Sequence, residues 1–532
     1  MKVFLIMILF AAHAQAAQYY VRTDGSNTNG GTANTSGGAW LTVAYAITQA
    51  QPGDVVTVQA GTYNETLATT RAGTLGNPIT FETNGTVYVH RWTLNHAYQT
   101  IRGFTIRHAM STSDLDAYVR FGDGGDNCIV ENNRFGPGAA IQLTDLSFND
   151  TNPDTITSAT GGFLDAGFRN SGVVRAFNSV TSTDIAAGNR TSWTVDTVTN
   201  TTITLAAGQN VVAESGKTAF LYGIRNGVTF STISDNNIVR NNRFEDTASR
   251  WMLVQGTGNL VENNVFVNMD GFDGVLYGGT NTTIRRNVIR DGMTYRYRNP
   301  SPDMLGIISP NTTTTNILIE ENMLLNMIGA AGFDHGDPTP GPFAWRRNVF
   351  WNIAYGYQLR SDGVEFDRNT FYNVAQAGSV LAEAADHVIL FFDGTGNPPT
   401  ATITSNLFIG CGNGMGSTKG WYIDSEPALT LNANYNFVAG AAPTYGIKTG
   451  FSETNGINGG NPLFVDESDP LGPDGLPFTA DDGLRLAVGS PAIGAGPSGA
   501  DLGAYDYVAV APPSNQGTIN APITNAGTVT AQ

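Results

Sequence analysis

Leu260-Val261-Glu262-Asn263-Asn264-Val265-Phe266 is followed by Ile284-Arg285-Arg286-Asn287-Val288-Ile289, then by Ile319-Glu320-Glu321-Asn322-Met323-Leu324 and Trp345-Arg346-Arg347-Asn348-Val349-Phe350. Phe366-Asp367-Arg368-Asn369-Thr370-Phe371 and Ile403-Thr404-Ser405-Asn406-Leu407-Phe408 continue the series, and Leu431-Asn432-Ala433-Asn434-Tyr435-Asn436-Phe437 closes it. Earlier copies are Ile129-Val130-Glu131-Asn132-Asn133-Arg134-Phe135 and Ile238-Val239-Arg240-Asn241-Asn242-Arg243-Phe244. Each phrase alternates apolar and polar residues around an asparagine, which is the period of a β-strand and not of a helix. Counted from Asn242 through Asn434, the steps are 22, 23, 35, 26, 21, 37 and 28 residues. A floor with occasional longer steps is the spacing of stacked coils in which only the loops vary.

One such coil cannot bury its apolar face. Stacking coils at a strand spacing of about 4.8 Å buries a continuous core and pairs each strand with the next. The recurring asparagine can then bond its counterparts above and below, and its tolerance of left-handed backbone angles suits it to turn the corner. These phrases resemble the right-handed parallel β-helix of the pectate-lyase-like superfamily. The resemblance implies an all-β solenoid that acts on carbohydrate at an outer face.

Met1 to Ala16 carries one lysine, an apolar run from Val3 to Ala12 and the small-x-small end Ala14-Gln15-Ala16. This reads as a secretory signal peptide too short to span a bilayer, so a protein secreted or held at the cell surface is expected, with no membrane span. A net charge of −17 makes nucleic acid an unsuitable partner. Cys128 and Cys411 are too few for a disulfide framework and read as buried apolar residues.

From Trp40 the apolar residues at 40, 43, 44 and 47 predict a short helix, followed by a turn at Gln51-Pro52-Gly53-Asp54 and a strand. This text looks like the N-terminal cap of secreted β-helix proteins, in which a helix plugs the open end of the core. The Asn register is lost between Asn133 and Asn242, where alternating strands such as Trp193-Thr194-Val195-Asp196 predict a small antiparallel β-domain inserted through one loop. It resembles small β-modules of phage structural proteins. The expected organisation is a signal peptide over 1–16, cap and first coils over 17–145, the insert over 146–222, main coils and C-terminal cap over 223–508, and a flexible tail over 509–532. The text from Asn461 to Tyr507 is similar to the C-terminal coils of secreted bacterial β-helix proteins.

Chemistry is expected on the outer face of the strands that begin near Gly274, Gly306, Gly332, Gly356 and Gly378. Taking Phe333, Tyr357 and Leu359 as inward places Asp334, Gln358 and Arg360 outward on adjacent coils. Asp273, Arg296, Tyr297, Arg298 and Asp303 precede these strands, and His335, Asp337 and Asp362 follow them. Two chemistries suit the set. A glycosidase needs two carboxyl groups, one protonated and one ionised, which Asp334 with Asp303, Asp337 or Asp362 would supply. A uronate lyase needs a base beside a neutralised carboxylate. The four lysines, Lys2, Lys217, Lys419 and Lys448, all lie outside the central coils. His335, Tyr297 or Arg360 would therefore serve, arginine being the base in some β-helix lyases.

The catalytic candidates are thus Asp303, Asp334, His335 and Arg360. The substrate-binding candidates are Asp273, Arg296, Tyr297, Arg298, Asp337, Gln358 and Asp362. Plainer readings stand beside them: turn residues at Asp334 and Asp337, a core histidine at 335, and an Arg360–Asp362 surface pair. The Asp-rich stretch with Asp469, Asp474, Asp481 and Asp482 offers oxygen ligands for Ca²⁺, or forms a solvated turn. The expected partner is a polysaccharide, bound and cleaved by a lyase or glycosidase. The alternative is a non-catalytic adhesin or tail-spike-like binding protein, a monomer or a trimer.

Overall fold

The computed structural model describes residues 16–107, 117–136, 140–164, 166–168, 170, 172–178, 185–223, 226–245, 251–268, 275–277, 279–292, 307–309, 315–334, 343–359, 363–374, 387–391, 400–411, 421–425, 430–439 and 453–509. The expected signal peptide and tail lie outside these residues, apart from Ala16 and the first residue of the tail. Each Asn phrase forms two short strands meeting at a corner. Leu260–Glu262 pairs in parallel with Ile238–Arg240 and Thr283–Arg285. After the corner, Val265–Val267 pairs in parallel with Arg243–Glu245 and Val288–Gly292. A third strand completes the coil, and Met252–Val254, Val275–Tyr277 and Ile307–Ser309 stack in the same way. Strands before the recurring asparagine make sheet A, those after it sheet B, and the third set sheet C. The chain is a parallel β-helix, wound in the right-handed sense that parallel crossovers take.

The asparagine column is the spine of this stack. Asn133, Asn242, Asn264, Asn287, Asn322, Asn348, Asn369, Asn406 and Asn436 are all at most 2% exposed. Asn264 Nδ2 donates to Asn287 Oδ1 at 3.0 Å and back to the Val239 carbonyl at 2.9 Å, while its Oδ1 accepts from both Asn242 N and Nδ2 at 3.0 Å. One amide thereby ties three coils. The same pattern repeats to Asn436, whose N and Nδ2 both donate to Glu453 Oε1. Two expectations need correction. The last rung is Asn436 and not Asn434, so the final step is 30 residues. The left-handed backbone belongs to the residue before each rung, from Asn132 through Arg286, Glu321 and Arg347 to Tyr435, at φ between +52° and +58°. Holding the amide and turning the corner are tasks of adjacent residues.

Inside the coils, identical side chains stack at the strand spacing. Phe135, Phe244 and Phe266 have centroids 4.4 and 4.6 Å apart, and Phe350, Phe371 and Phe408 repeat this at 4.6 and 4.8 Å. The N-terminal end is closed by the helix Val43–Gln49, which buries Val43, Ala46 and Ile47 against the core. Ala44, expected on that face, is exposed. Thr42 caps the helix by accepting from Tyr45 N, and the Glu65 carboxylate takes Val43 N and Ala44 N at 3.1 and 2.8 Å. Both oxygens satisfy donors that a helix start leaves open.

The insert is a closed six-stranded antiparallel barrel whose strands run from Ala140–Asn149 to Glu214–Gly223. It has its own core around Phe148, Ile156, Trp193 and Leu221, while Phe220 on its last strand joins the core of the solenoid. The coils close over the excursion, because Arg134–Phe135 pairs directly with Arg243–Phe244.

The C-terminal stretch departs from expectation. Residues 464–507 do not add coils but run as an irregular strap along the outer face of sheet B. Phe464, Leu471, Leu484, Leu486 and Leu502 pack there on Val288, Met323, Val349 and Leu407. From Val288 on, sheet B is consequently buried on both faces, the reason its later strands are apolar in both phases, whereas Arg134 and Arg243 of the earlier coils stand exposed. Gly503 N donates to the Ser405 carbonyl and Ala504 N to Thr370 Oγ1, while Asp506 binds Arg347 at 2.8 Å and also Arg368.

Two outcomes follow for stability. Asn348→Ala leaves Asn322 N without its acceptor inside the core, takes one of three acceptors from Asn322 Nδ2, and removes the Nδ2 donor that Asn369 Oδ1 and the Ile319 carbonyl receive. At about 1–3 kcal/mol per stranded buried donor, the loss should be about 3 kcal/mol by chemical denaturation. Partial burial alone would raise the Asp506 carboxyl, but bonds and charges from Arg368 and Arg347 outweigh it and hold the group below its ordinary value. A depressed carboxyl contributes stability above its unfolded value and loses it as pH falls through the folded one. Asp482 works oppositely, since burial raises it against bonds from Tyr505 and Thr479. Hydrogen exchange at Gly503 and Ala504 should therefore accelerate as pH drops below about 4, after correction for intrinsic rates. Asp506→Asn should remove that acid-dependent component.

Candidate functional site

The Asn ladder fixes the corner between sheets A and B at two residues, as with Arg286 and Asn287 between Thr283–Arg285 and Val288–Gly292. A longer corner would move a rung out of the column, so extra chain can enter only elsewhere. It enters at both edges of sheet C. Residues 293–306, 375–386 and 412–420 lead into that sheet, and 310–316, 335–342 and 392–399 lead out of it. Long connections on a rigid scaffold are where binding groups collect.

The expected site residues divide accordingly. Asp273, Arg296, Tyr297, Arg298 and Asp303 belong to connections entering sheet C; His335, Asp337, Arg360 and Asp362 belong to connections leaving it. All nine lie outside the described residues. Asp334 and Gln358 occupy strand positions, and the register separates them. Phe333 pairs with Gln358, whereas Asp334 pairs with Ser309. Gln358 continues the column Thr229, Leu253, Leu276, Ile308 and Phe333, which runs on through Leu390 to Asp424. Asp334 sits one position along, on the column that Val254 opens in the earlier coils.

Val254 belongs to the solenoid core, while Thr229 and Leu253 stand outside that cluster. Successive strand positions alternate between faces, so the assumption that Asp334 and Gln358 share one column is not met. Asp424 is a carboxylate that sequence reasoning missed. Its strand, Trp421–Ser425, is separated from the Asn406 phrase by residues 412–420, across which the phase cannot be read from the sequence.

The outer face of sheet A is fully described and is charged. Glu82, Arg102, Glu131 and Arg240 form a chain of ion pairs, with Arg102 to Glu82 at 2.5 Å and Arg240 to Glu131 at 2.7 Å; Arg285 and Glu262 repeat it at 2.8 Å. Each arginine is a third or more exposed, so each pair contributes at most about 1 kcal/mol.

Asp474, Asp481 and Asp482 of the Asp-rich loop place carboxylate oxygens within 4.8 Å of one another; Asp469 is not in the group. Each of the three carboxylates already accepts hydrogen bonds. Asp481 accepts from Asp474 N at 3.0 Å and from the Thr479 hydroxyl at 2.6 Å. Asp482, fully buried, accepts from Thr479 N at 3.1 Å and the Tyr505 hydroxyl at 2.6 Å. Asp474 accepts from Leu476 N. The same oxygens that take these hydrogen bonds are the ones that a cation would share.

No protein-family model matches the sequence, and no curated protein does. Among solved structures the chain is similar to pectate lyase Pel9A, at 14% identity and a TM-score of 0.43, over 93% of this chain and 97% of that one. It is similar to a mannuronic-acid-specific polysaccharide lyase of family 6 from human gut microbiota, at 11% and 0.43, over 81% and 83%. A third is the catalytic unit of a thermostable α-1,3-glucanase from Streptomyces thermodiastaticus, at 14% and 0.40, over 73% and 63%. Among the described residues no helix is long and apolar enough to cross a membrane.

Because the Asp-rich loop closes through its own hydrogen bonds, EDTA should leave the melting temperature unchanged and added Ca²⁺ should not raise it. A calcium-dependent rise that Asp481→Asn abolishes would place an ion there.

Proposed function

We propose that this chain is an exported, carbohydrate-active protein that binds a polysaccharide along sheet C and cleaves it, as a lyase or a glycosidase. The observation that carries this reading is the confinement of variable chain length to the two edges of one strand row. Nine of the candidate polar residues fall on those connections in successive coils. A linear polymer lying along the solenoid axis would meet the same wall on each coil, spaced by the strand separation. Gln358 and Asp424 share the backbone column that runs through Thr229, in the strand row between those connections. In this reading the acid-base role goes to carboxylates of the connections, Asp303 with Asp337 or Asp362, with Asp334 as the further carboxylate of the set.

In the glycosidase version one of these protonates the leaving oxygen while the other activates water or attacks. In the lyase version His335, Tyr297 or Arg360 abstracts the proton beside a uronate carboxylate, with Arg296 and Arg298 binding the polyanion. The protein's net charge of −17 disfavours polyanions, which favours the hydrolytic version. Export rests on Lys2, the apolar run Val3 to Ala12 and the Ala14-Gln15-Ala16 end.

Purified protein incubated with neutral and anionic polysaccharides should release reducing ends, joined by ultraviolet-absorbing unsaturated ends if it is a lyase. Asp303→Asn should lower turnover about 10²-fold or more while melting like the wild type. Retention on a glycan without any product would establish the binding-only alternative, and neither retention nor product would overturn the proposal.

A further inference from the structure

The outer face of sheet A changes character part-way along the solenoid. One outward column reads Ile129, Ile238, Leu260, then Thr283, Leu318 and Ala344 over successive coils, all half-buried. From the next coil it reads Glu365, Thr402, Asn432. Its neighbour column, the alternating ladder of arginine and glutamate, becomes Asp367, Thr404 and Asn434 after Arg346. A purely structural face would continue the ion-pair ladder. Here it gives way to hydroxyls and amides, with no cation beyond Arg346.

At this transition the surface is concave. A groove of about 310 Å³ spans three coils, lined by Glu365, Thr400, Thr402, Thr430 and Asn432 with half-buried Leu431 beside them, while Val364 and Ala401 beneath belong to the core. That volume lies at the lower end of small-molecule sites. Glu365 is held by Arg346 through two bonds, and Asp367 accepts from the Thr404 hydroxyl at 2.9 Å. The side chains of Thr402, Thr430 and Asn432 have no hydrogen-bond partner among the described residues. They stand on consecutive coils as donors and acceptors at once.

We propose that this groove is a second glycan-binding site, for a neutral polysaccharide, one corner away from sheet C. Hydroxyls and amides match sugar hydroxyls in both hydrogen-bonding senses. Half-buried Leu431 offers apolar surface to the C–H face of a ring, and the Glu365 and Asp367 carboxylates repel uronates. The site goes beyond the cleavage reading and does not depend on it, since it requires binding only.

Affinity electrophoresis in gels containing xylan, glucomannan, β-glucan or polygalacturonate tests it. The wild type should be retarded by at least one neutral glycan and not by polygalacturonate. The double variant Thr402→Ala with Asn432→Ala should lose about tenfold in affinity, as expected for two or three lost hydrogen bonds. It should melt like the wild type, because neither side chain supports another group. Thr283→Ala, in the same column four coils before Thr402, should bind normally, and Asp303→Asn should bind normally even if it abolishes cleavage. Unchanged retardation of the double variant, no retardation of the wild type by any neutral glycan, or preferential retardation by polygalacturonate would overturn the proposal.

Discussion

The structure depends on one repeated interaction, the side-chain amide that donates to the next rung and accepts from the last. Each ladder asparagine is buried, so its donors have no water to return to, and a missing partner costs the full desolvation of the group. All the amides point the same way, with N–H groups directed toward the C-terminal coils. The column therefore has a positive end, and the chain places Glu453 there, an acceptor with no amide of its own to satisfy.

A spine this demanding decides what else is free to vary. The corner beside it is fixed at two residues, which keeps sheets A and B in register over the whole described length. Because they are in register, outward positions become columns: stacked apolar residues, an ion-pair ladder, and the apolar wall of sheet B that the C-terminal strap covers. The strap is the costliest consequence. It brings residues such as Leu502 and Tyr505 back over coils more than a hundred positions earlier, and its two arginine anchors, Arg347 and Arg368, sit at left-handed corner positions of the spine. The barrel shows the same constraint, since its whole excursion is contained between Asn133 and Asn242, which bond each other as if it were absent.

What the spine forbids at one corner it permits at the others, so function is expected where the coils are irregular. Sheet C is bordered on both edges by connections of changing length. The groove on sheet A appears where the regular charge alternation stops. The two surfaces share the coils that carry Asn369 and Asn406, one holding the polar connections and the other unpartnered hydroxyl and amide groups.

The sequence alone determined the solenoid, the positions of most rungs, the capping helix and the presence of an insert, because each is written in local alternation or in a repeated phrase. Three features were not local. In Leu431-Asn432-Ala433-Asn434-Tyr435-Asn436 three asparagines recur at period two, and only stacking on Asn406 selects Asn436. The left-handed corner accepts asparagine, arginine, glutamate, serine or tyrosine, so no residue type announces it. The phase of the sheet C strands is lost across their connections, which is why Asp334 and Gln358 were assigned to one column and the register puts them in two. The strap had a trace in the sequence, the apolar residues at both phases of Met323-Leu324-Leu325 and Val349-Phe350-Trp351. Alternation within a coil is enforced by its own core and can be read from a few residues; register between coils, and the chain that covers their outer wall, exist only once distant segments meet.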